Sequence, residues 1–202
     1  MRRVLIATSN PGKLCDFAGA AAAHGITIAA LPDFDSVPSV SEDGATFEAN
    51  ARKKAEHYSR FAPGEMVLAD DSGLEVNALG GAPGVRSARY AATAEGNADD
   101  RANNMRLLRE LSGITDRNAR FVCVIAAAQD GHTLATFRGE AEGSILQAPR
   151  GAGGFGYDPL FLVPALGKTF AELESEEKAA VSHRGAAFRK FLEWCDRERS
   201  PM

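Results

Sequence analysis

Val4-Leu5-Ile6-Ala7-Thr8-Ser9-Asn10-Pro11-Gly12-Lys13 opens the chain with a run of apolar residues that ends abruptly in a polar loop. Residues 4–8 are short, β-branched in part and uninterrupted by charge, the pattern of a strand buried on both faces. The composition downstream predicts a helix to about His24 and a second strand over residues 26–30. Strand, polar loop, helix and strand in that order is the start of an α/β fold. The order also turns backbone N–H groups and a helix N-terminus toward the loop, a geometry that favours a bound anion.

The alternation continues along the chain. Residues 32–44 carry Pro32, Pro38 and several acids without periodicity and read as a loop, and residues 46–58, rich in alanine and basic residues, read as a helix. A strand over 66–69 leads into Asp70-Asp71-Ser72-Gly73, with 74–76 extended beyond it, and 80–84 is a glycine-rich turn. Residues 98–111 form a helix on which Met105, Leu108 and Leu111 are spaced to make an apolar face. Strands over 119–128 and 132–141 flank Gln129-Asp130-Gly131, where aspartate before glycine signals a hairpin. Residues 151–159 are a second glycine-rich loop, Ser175-Glu176-Glu177-Lys178 reads as a cap with an acidic first turn, and a last helix spans 183–197 with Phe188, Leu192 and Cys195 on one stripe. No repeat and no linker divides the chain. The expectation is a single three-layer α/β domain around a mixed sheet, or one domain with a smaller lobe.

Composition excludes several classes. The chain has 202 residues, 45% of them hydrophobic and 25% charged, as ordinary globular proteins do. A formal net charge of −4 with no basic block argues against nucleic acid as a partner. Cys15, Cys123 and Cys195 are far apart and form no CxxC pair, so they read as small buried residues of a reducing compartment. The apolar run after Arg2 and Arg3 is too short for a signal peptide, and no segment approaches the roughly 18 apolar residues of a membrane span. A cytoplasmic protein is expected.

Asp70-Asp71-Ser72-Gly73 is the sharpest local feature. Paired acids after an apolar strand lie where α/β sheets present ligands. Neighbouring side chains of an extended backbone point to opposite faces, so one of the two is expected in the site. Mg²⁺, which takes oxygen ligands and often only one or two from protein, is a reason to gather them; an acidic turn capping backbone N–H groups explains the local pattern equally well. Glu42 and Asp43 offer further carboxylates, or face solvent. Thr8, Ser9, Asn10, Pro11, Gly12 and Lys13 supply hydroxyl, amide and ammonium groups without the spacing of a Walker loop. Lys178, His183 and Arg184 either neutralise phosphate or decorate a helix start. Phe155, Gly156, Tyr157 and Asp158 place two aromatics and an acid in a loop, where a ring stacks on a base or closes the core. No Ser-His-Asp spacing and no zinc pattern is present.

Taken together these segments resemble the inosine triphosphate pyrophosphatase family, the non-canonical purine nucleoside triphosphate pyrophosphatases called Ham1-like or RdgB-like proteins. The resemblance is carried by TSNPGK at 8–13, GATFEANARKKA at 44–55, ADDSGLEVNALGGAPGVRSARY at 69–90, GGFGYDPLF at 153–161 and EEKAAVSHRG at 176–185, in the family's order. It implies an elongated central mixed sheet flanked by helices, two lobes with an active-site cleft between them, and a homodimer. It implies Mg²⁺ held by Glu42 and Asp71, with Asp71 as proton acceptor for water; Asp70, its neighbour, would help position that water. Residues 8–13 would surround the triphosphate, Ser72 would touch the substrate, and Phe155 to Asp158, Lys178, His183 and Arg184 would complete the nucleotide pocket. One position departs from the motif: Ala49 stands where the family usually has glutamate.

The implied reaction is hydrolysis of inosine or xanthosine triphosphate, or their deoxy forms, at the α-phosphorus with pyrophosphate leaving. Donors such as backbone N–H groups, His183 or Arg184 meeting the purine 6-oxo group would disfavour a 6-amino base. The alternatives are a Maf-like pyrophosphatase of different base preference and a noncatalytic nucleotide sensor.

Overall fold

The computed structural model describes residues 2–8, 14, 17, 21, 24–93 and 96–199. Strands β1 (Arg2–Ile6), β2 (Ile26–Ala30), β3 (Met66–Val76), β4 (Asn118–Gln129), β5 (His132–Ile145), β6 (Phe161–Val163) and β7 (Lys168–Thr169) form one sheet in the order β2-β1-β3-β4-β5-β6-β7. β1 runs parallel to β2 and β3, whereas β5, β6 and β7 pair antiparallel, so the sheet is mixed. Around it lie helices α1 (Phe47–Ser59), α2 (Asp100–Glu110), α3 (Ser175–Val181) and α4 (His183–Arg199). The α/β class with a central mixed sheet flanked by helices is as expected.

The chain divides into two compact units. The first comprises residues 1–71, 123–139 and 183–202. In it β1 sets Val4 opposite Ile28 on one side and Leu5 opposite Val67 on the other. Its pleat divides its apolar residues: Val4 and Ile6 join Met66, Leu68, Ile125, Phe188 and Phe191 in one cluster, while Leu5 joins Val67, Tyr58 and Leu31 in another. The strand is therefore covered on both faces, which its unbroken apolar run requires. Of the expected helix before His24, Leu14, Phe17 and Ala21 are helical and Phe17 and Ala21 are buried, while the rest lies outside the described residues. Cys123 and Cys195 are buried thiols of this core.

Two backbone details place functional residues of this unit. A Cβ at Gly139 of β5 would come within 2.2 Å of the His183 carbonyl oxygen and 2.3 Å of the Ala187 nitrogen, so glycine is what lets α4 start against the strand. At the β4–β5 hairpin, Asp130 (φ 52°) and Gly131 (φ 84°) are both left-handed, as a two-residue primed turn demands. The tip is tied down: Asp130 Oδ1 accepts from Gly64 N at 2.8 Å, and Gly131 N donates to the buried Ser59 Oγ at 2.9 Å.

The second unit comprises residues 72–122 and 140–182. Its core gathers Leu74, Val76, Tyr90, Leu107, Leu111, Phe121, Phe161 and Phe170, with Phe121 stacked on Phe170 at 5.6 Å between ring centroids. Of the apolar face expected on α2, Leu111 is fully buried and Leu108 packs partly buried against this core, whereas Met105 turns to solvent. Met105 is 61% exposed, and Leu107 and Leu111 are fully buried in line with Asn103. The Asn103 amide accepts from Ala91 N at 2.8 Å and donates to the Ala88 carbonyl at 3.2 Å, which satisfies it in the interior. The cap of α3 is Glu174 rather than Ser175, its N–H donating to Glu177 Oε2 at 3.1 Å. No helix among the described residues is long and apolar enough to cross a membrane.

Candidate active site

Asp70 and Asp71 lie inside β3, not beyond its end: the strand runs unbroken from Met66 to Val76. The acidic-turn reading is thereby excluded. Both residues are 6% exposed, and the alternation of the strand sends them to different partners. Asp71 Oδ2 accepts from Asn50 Nδ2 at 3.0 Å, and its Oδ1 lies 3.5 Å from Lys54 Nζ. Asp70 Oδ2 lies 3.7 Å from Arg184 Nε, in a pair whose side chains are both almost buried.

Helix α1 supplies the partners of Asp71. Thr46 caps it, its Oγ1 accepting from Ala49 N at 3.1 Å. From that start, Asn50 and Lys54 fall four residues apart on the face that also buries Phe47, Ala51, Ala55 and Tyr58. Lys54 Nζ is also 3.1 Å from Glu42 Oε1, so one ammonium draws Glu42 and Asp71 together. Asp43 turns away to exposed Lys53 at 2.7 Å and is the solvent-facing member of its pair. Ala49 is exposed, and Asn50, one residue on, carries the contact with Asp71.

Burial raises the Asp71 carboxyl above its ordinary value, with the Lys54 charge pulling the other way and Glu42 adding to the rise. Burial also opposes the charge on Lys54, but the carboxylates of Asp71, Asp70 and Glu42 outweigh it and hold that ammonium more firmly protonated than a free lysine. The chemistry is that of a place for positive charge. Among the described residues no group of three or more metal-ligating side chains occurs. A pair of carboxylates is nevertheless the donor set Mg²⁺ accepts when water and phosphate oxygens complete its shell. Glu42 and Asp71 fit that ion.

Thr8 lies just beyond β1 and is 9% exposed, and Ser72 is half-buried next to Asp71. His183 and Arg184 open α4 in the first unit, 2% and 7% exposed. Ser9, Asn10, Pro11, Gly12 and Lys13 lie outside the described residues.

The remaining expected residues form a cluster of the second unit. Lys178 Nζ on α3 pairs with Asp158 Oδ2 at 2.6 Å, and the same oxygen accepts from Phe155 N at 2.9 Å. The ammonium stands 5.2 Å from the centre of the Phe155 ring, a cation–π distance. Gly156 is held on both sides, its N–H donating to Asp100 Oδ2 at 2.6 Å and its carbonyl accepting from Asn104 Nδ2 at 2.9 Å. Tyr157 is buried with its hydroxyl donating to the Ser87 carbonyl at 2.8 Å, and burial pushes its pKa far up. Of the two loop aromatics, then, Tyr157 closes the core and Phe155 keeps an exposed ring.

Sequence reading overlooked Asn50 and Lys54. Their signal was present in GATFEANARKKA: two polar residues at i and i+4 interrupting the apolar face of a helix.

The model of the Ham1 family matches residues 4–194. The chain belongs to that family. It is similar to a protein of Acidobacterium capsulatum named dITP/XTP pyrophosphatase, with 52% identity over 193 residues that cover 93% of this chain and 95% of that one. Among solved structures it resembles a Ham1 protein from Coxiella burnetii, at 40% identity and a TM-score of 0.85 over 98% of this chain and 100% of the other. The Ham1 protein of Staphylococcus aureus is similar at 41% identity and a TM-score of 0.84, again over 98% and 100% of the two chains. The family match reaches both units, β1 to α4.

Proposed function

We propose that this member of the family is a hydrolase that splits non-canonical purine nucleoside triphosphates, dITP and XTP foremost, into the monophosphate and pyrophosphate, clearing them from the nucleotide pool. The observation that carries the reading is 52% identity across 93% of the chain to a dITP/XTP pyrophosphatase. The paired carboxylates around Lys54 support it, because two carboxylates at close range are a donor set for the divalent cation that a triphosphate brings.

Glu42 and Asp71 would hold Mg²⁺, which when bound offsets phosphate charge and makes water a better nucleophile. Asp71, buried and with its pKa raised, is the group we assign to receive the proton of the attacking water. Asp70 is already paired with Arg184 and serves in support by fixing that guanidinium. Thr8 through Lys13 are assigned to the triphosphate, with Lys13, Lys54 and Arg184 offsetting charge as the bond to pyrophosphate breaks. Ser72, His183, Lys178 and the Phe155–Gly156–Tyr157–Asp158 loop are assigned to the rest of the nucleotide. Phe155 offers its exposed ring to a base, and Tyr157 acts by holding the loop. A backbone N–H or His183 donating to a 6-oxo group would leave a 6-amino base mismatched. We also read the enzyme as a homodimer, on the family likeness, and as cytoplasmic, on the scattered cysteines and short apolar runs of the sequence.

Parallel turnover of ITP, XTP, GTP and dTTP with pyrophosphate detection tests the function. Mg²⁺-dependent release from ITP and XTP well above GTP and dTTP is expected. Equal rates on GTP and ITP would sink the base preference, and tight binding without turnover would make the chain a sensor.

A further inference from the structure

The side chain of Asn50 is fully buried and is used at both ends. Its Oδ1 accepts from the Gly44 N–H at 2.7 Å, and its Nδ2 donates to Asp71 Oδ2 at 3.0 Å. Gly44 is two residues beyond Glu42, in the loop that brings Glu42 to the cluster. One amide therefore joins the loop of one carboxylate to the side chain of the other.

We propose that Asn50 is the positioning residue that sets Glu42 and Asp71 to one another, a two-sided clamp that requires glycine at position 44. This rests on the reading of Glu42 and Asp71 as metal carboxylates.

The chemistry at each end dictates the residue. A backbone N–H can only donate and an ionised carboxylate can only accept, so the bridging group needs an acceptor and a donor in one short plane. Asparagine has both. Aspartate would set a second carboxylate against Asp71, and leucine would leave two buried polar groups without the bonds they make here. Gly44 is the other half of the fit. A Cβ there would lie 2.6 Å from Asn50 Oδ1 and 3.0 Å from Ala49 Cβ, so any larger residue must push the loop or the amide away. Lys54, one turn further along α1, reaches the same two carboxylates by charge, at 3.1 and 3.5 Å. An ammonium attracts from any direction, whereas the amide specifies angle and distance. Partners that orient a ligand in this way commonly change metal affinity about 10–100-fold when lost.

The test uses the full chain and Mn²⁺ as probe, its uptake followed without nucleotide by loss of the free-ion paramagnetic resonance signal. Asn50→Ala removes the clamp. Gly44→Ala displaces it while keeping the whole amide, and so decides the matter even where Asn50→Ala fails to fold. Asn103→Ala, a buried asparagine of the second unit bonded to Ala91 and Ala88, is the control for lost stability. We expect the Mn²⁺ dissociation constant to rise about tenfold or more in both clamp variants, and not in the control. The Mg²⁺ concentration that half-saturates pyrophosphate release should rise in step while the nucleotide KM changes little. Wild-type Mn²⁺ affinity in a folded Gly44→Ala chain overturns the proposal. So does an equal loss in Asn103→Ala, or a wild-type chain that takes up no Mn²⁺. Weaker Mn²⁺ uptake in the variants of a wild type that releases no pyrophosphate from ITP supports the clamp and overturns the reaction assigned above.

Discussion

Lys54 Nζ lies 3.5 Å from Asp71 Oδ1, with both side chains largely withdrawn from water, and it is the cation that makes a buried aspartate tenable on β3. Glu42 shares the same ammonium at 3.1 Å. The cluster thus holds two negative groups and one positive at close range, with a net charge that invites a further cation.

Asp71→Asn should keep the fold and lose the reaction. The amide is close to isosteric, but it neither binds a hard cation as a carboxylate does nor accepts a proton. A positioned acid–base group contributes about 10²–10⁴ in rate, and kcat for pyrophosphate release from ITP should fall at least that far. Circular dichroism checks the fold alongside. Retained turnover would remove Asp71 from the mechanism.

The same residue makes a prediction about pH. Burial raises its carboxyl above the ordinary value of 3.8, so between that value and the raised one the folded chain binds more protons than the unfolded chain. Stability from this group is fully present below 3.8 and is lost as pH rises through the folded-state value. Asp71→Asn does not titrate. Relative to wild type, its melting temperature should climb as pH rises through that window in metal-free buffer. Melting curves of the two chains from about pH 3 to about pH 8 measure this, and a difference that stays constant or shrinks contradicts it.

Lys178→Ala tests the second cluster. The substitution strands Asp158, whose side chain is 5% exposed and whose Oδ2 lies 2.6 Å from the ammonium. Breaking a buried pair by removing one partner costs about 3–5 kcal/mol. Denaturant unfolding should show a loss of that order, and a loss near zero would mean that the pair is solvated.

Helix α2 offers a contrast between two apolar residues. Leu107 is fully buried and Met105 is 61% exposed. Leu107→Ala should cost about 2–5 kcal/mol, and Met105→Ala should stay within about 0.5 kcal/mol of wild type. Chemical denaturation of both variants decides it; equal losses would place Met105 in a buried contact.

That contrast also marks where sequence reading stops. β1 was legible because an apolar run with no polar interruption has one comfortable place, inside a sheet, and the Asp130-Gly131 turn because few residues accept positive φ. On α2, Met105, Leu108 and Leu111 made the more apolar stripe. The helix keeps Leu111 and part of Leu108 against the core, but it leaves Met105 to solvent and turns Asn103 inward, since Ala91 and Ala88 offer that amide hydrogen bonds that no hydropathy pattern records. The acidic pair misled in a related way: two aspartates look like the end of a strand, and β3 carries them through because Lys54, Asn50 and Arg184 wait on its two sides. In the candidate site, Asp71 and Glu42 could be named from the family resemblance. Asn50 and Lys54 show in the sequence only as polar interruptions of an apolar helix face, and what they hold depends on which residues α1 faces.

The tied tip of the β4–β5 hairpin bears on how this chain can be engineered. Hairpin tips are ordinarily the first choice for inserting a reporter or opening new termini. Here Asp130 and Gly131 anchor the backbone of Gly64 and the side chain of Ser59, so an insertion between them would detach the segment that follows α1. A fluorescent label or permutation site belongs elsewhere on the chain, and tolerance of foreign sequence at 130–131 would be a poor guide to tolerance at its other turns.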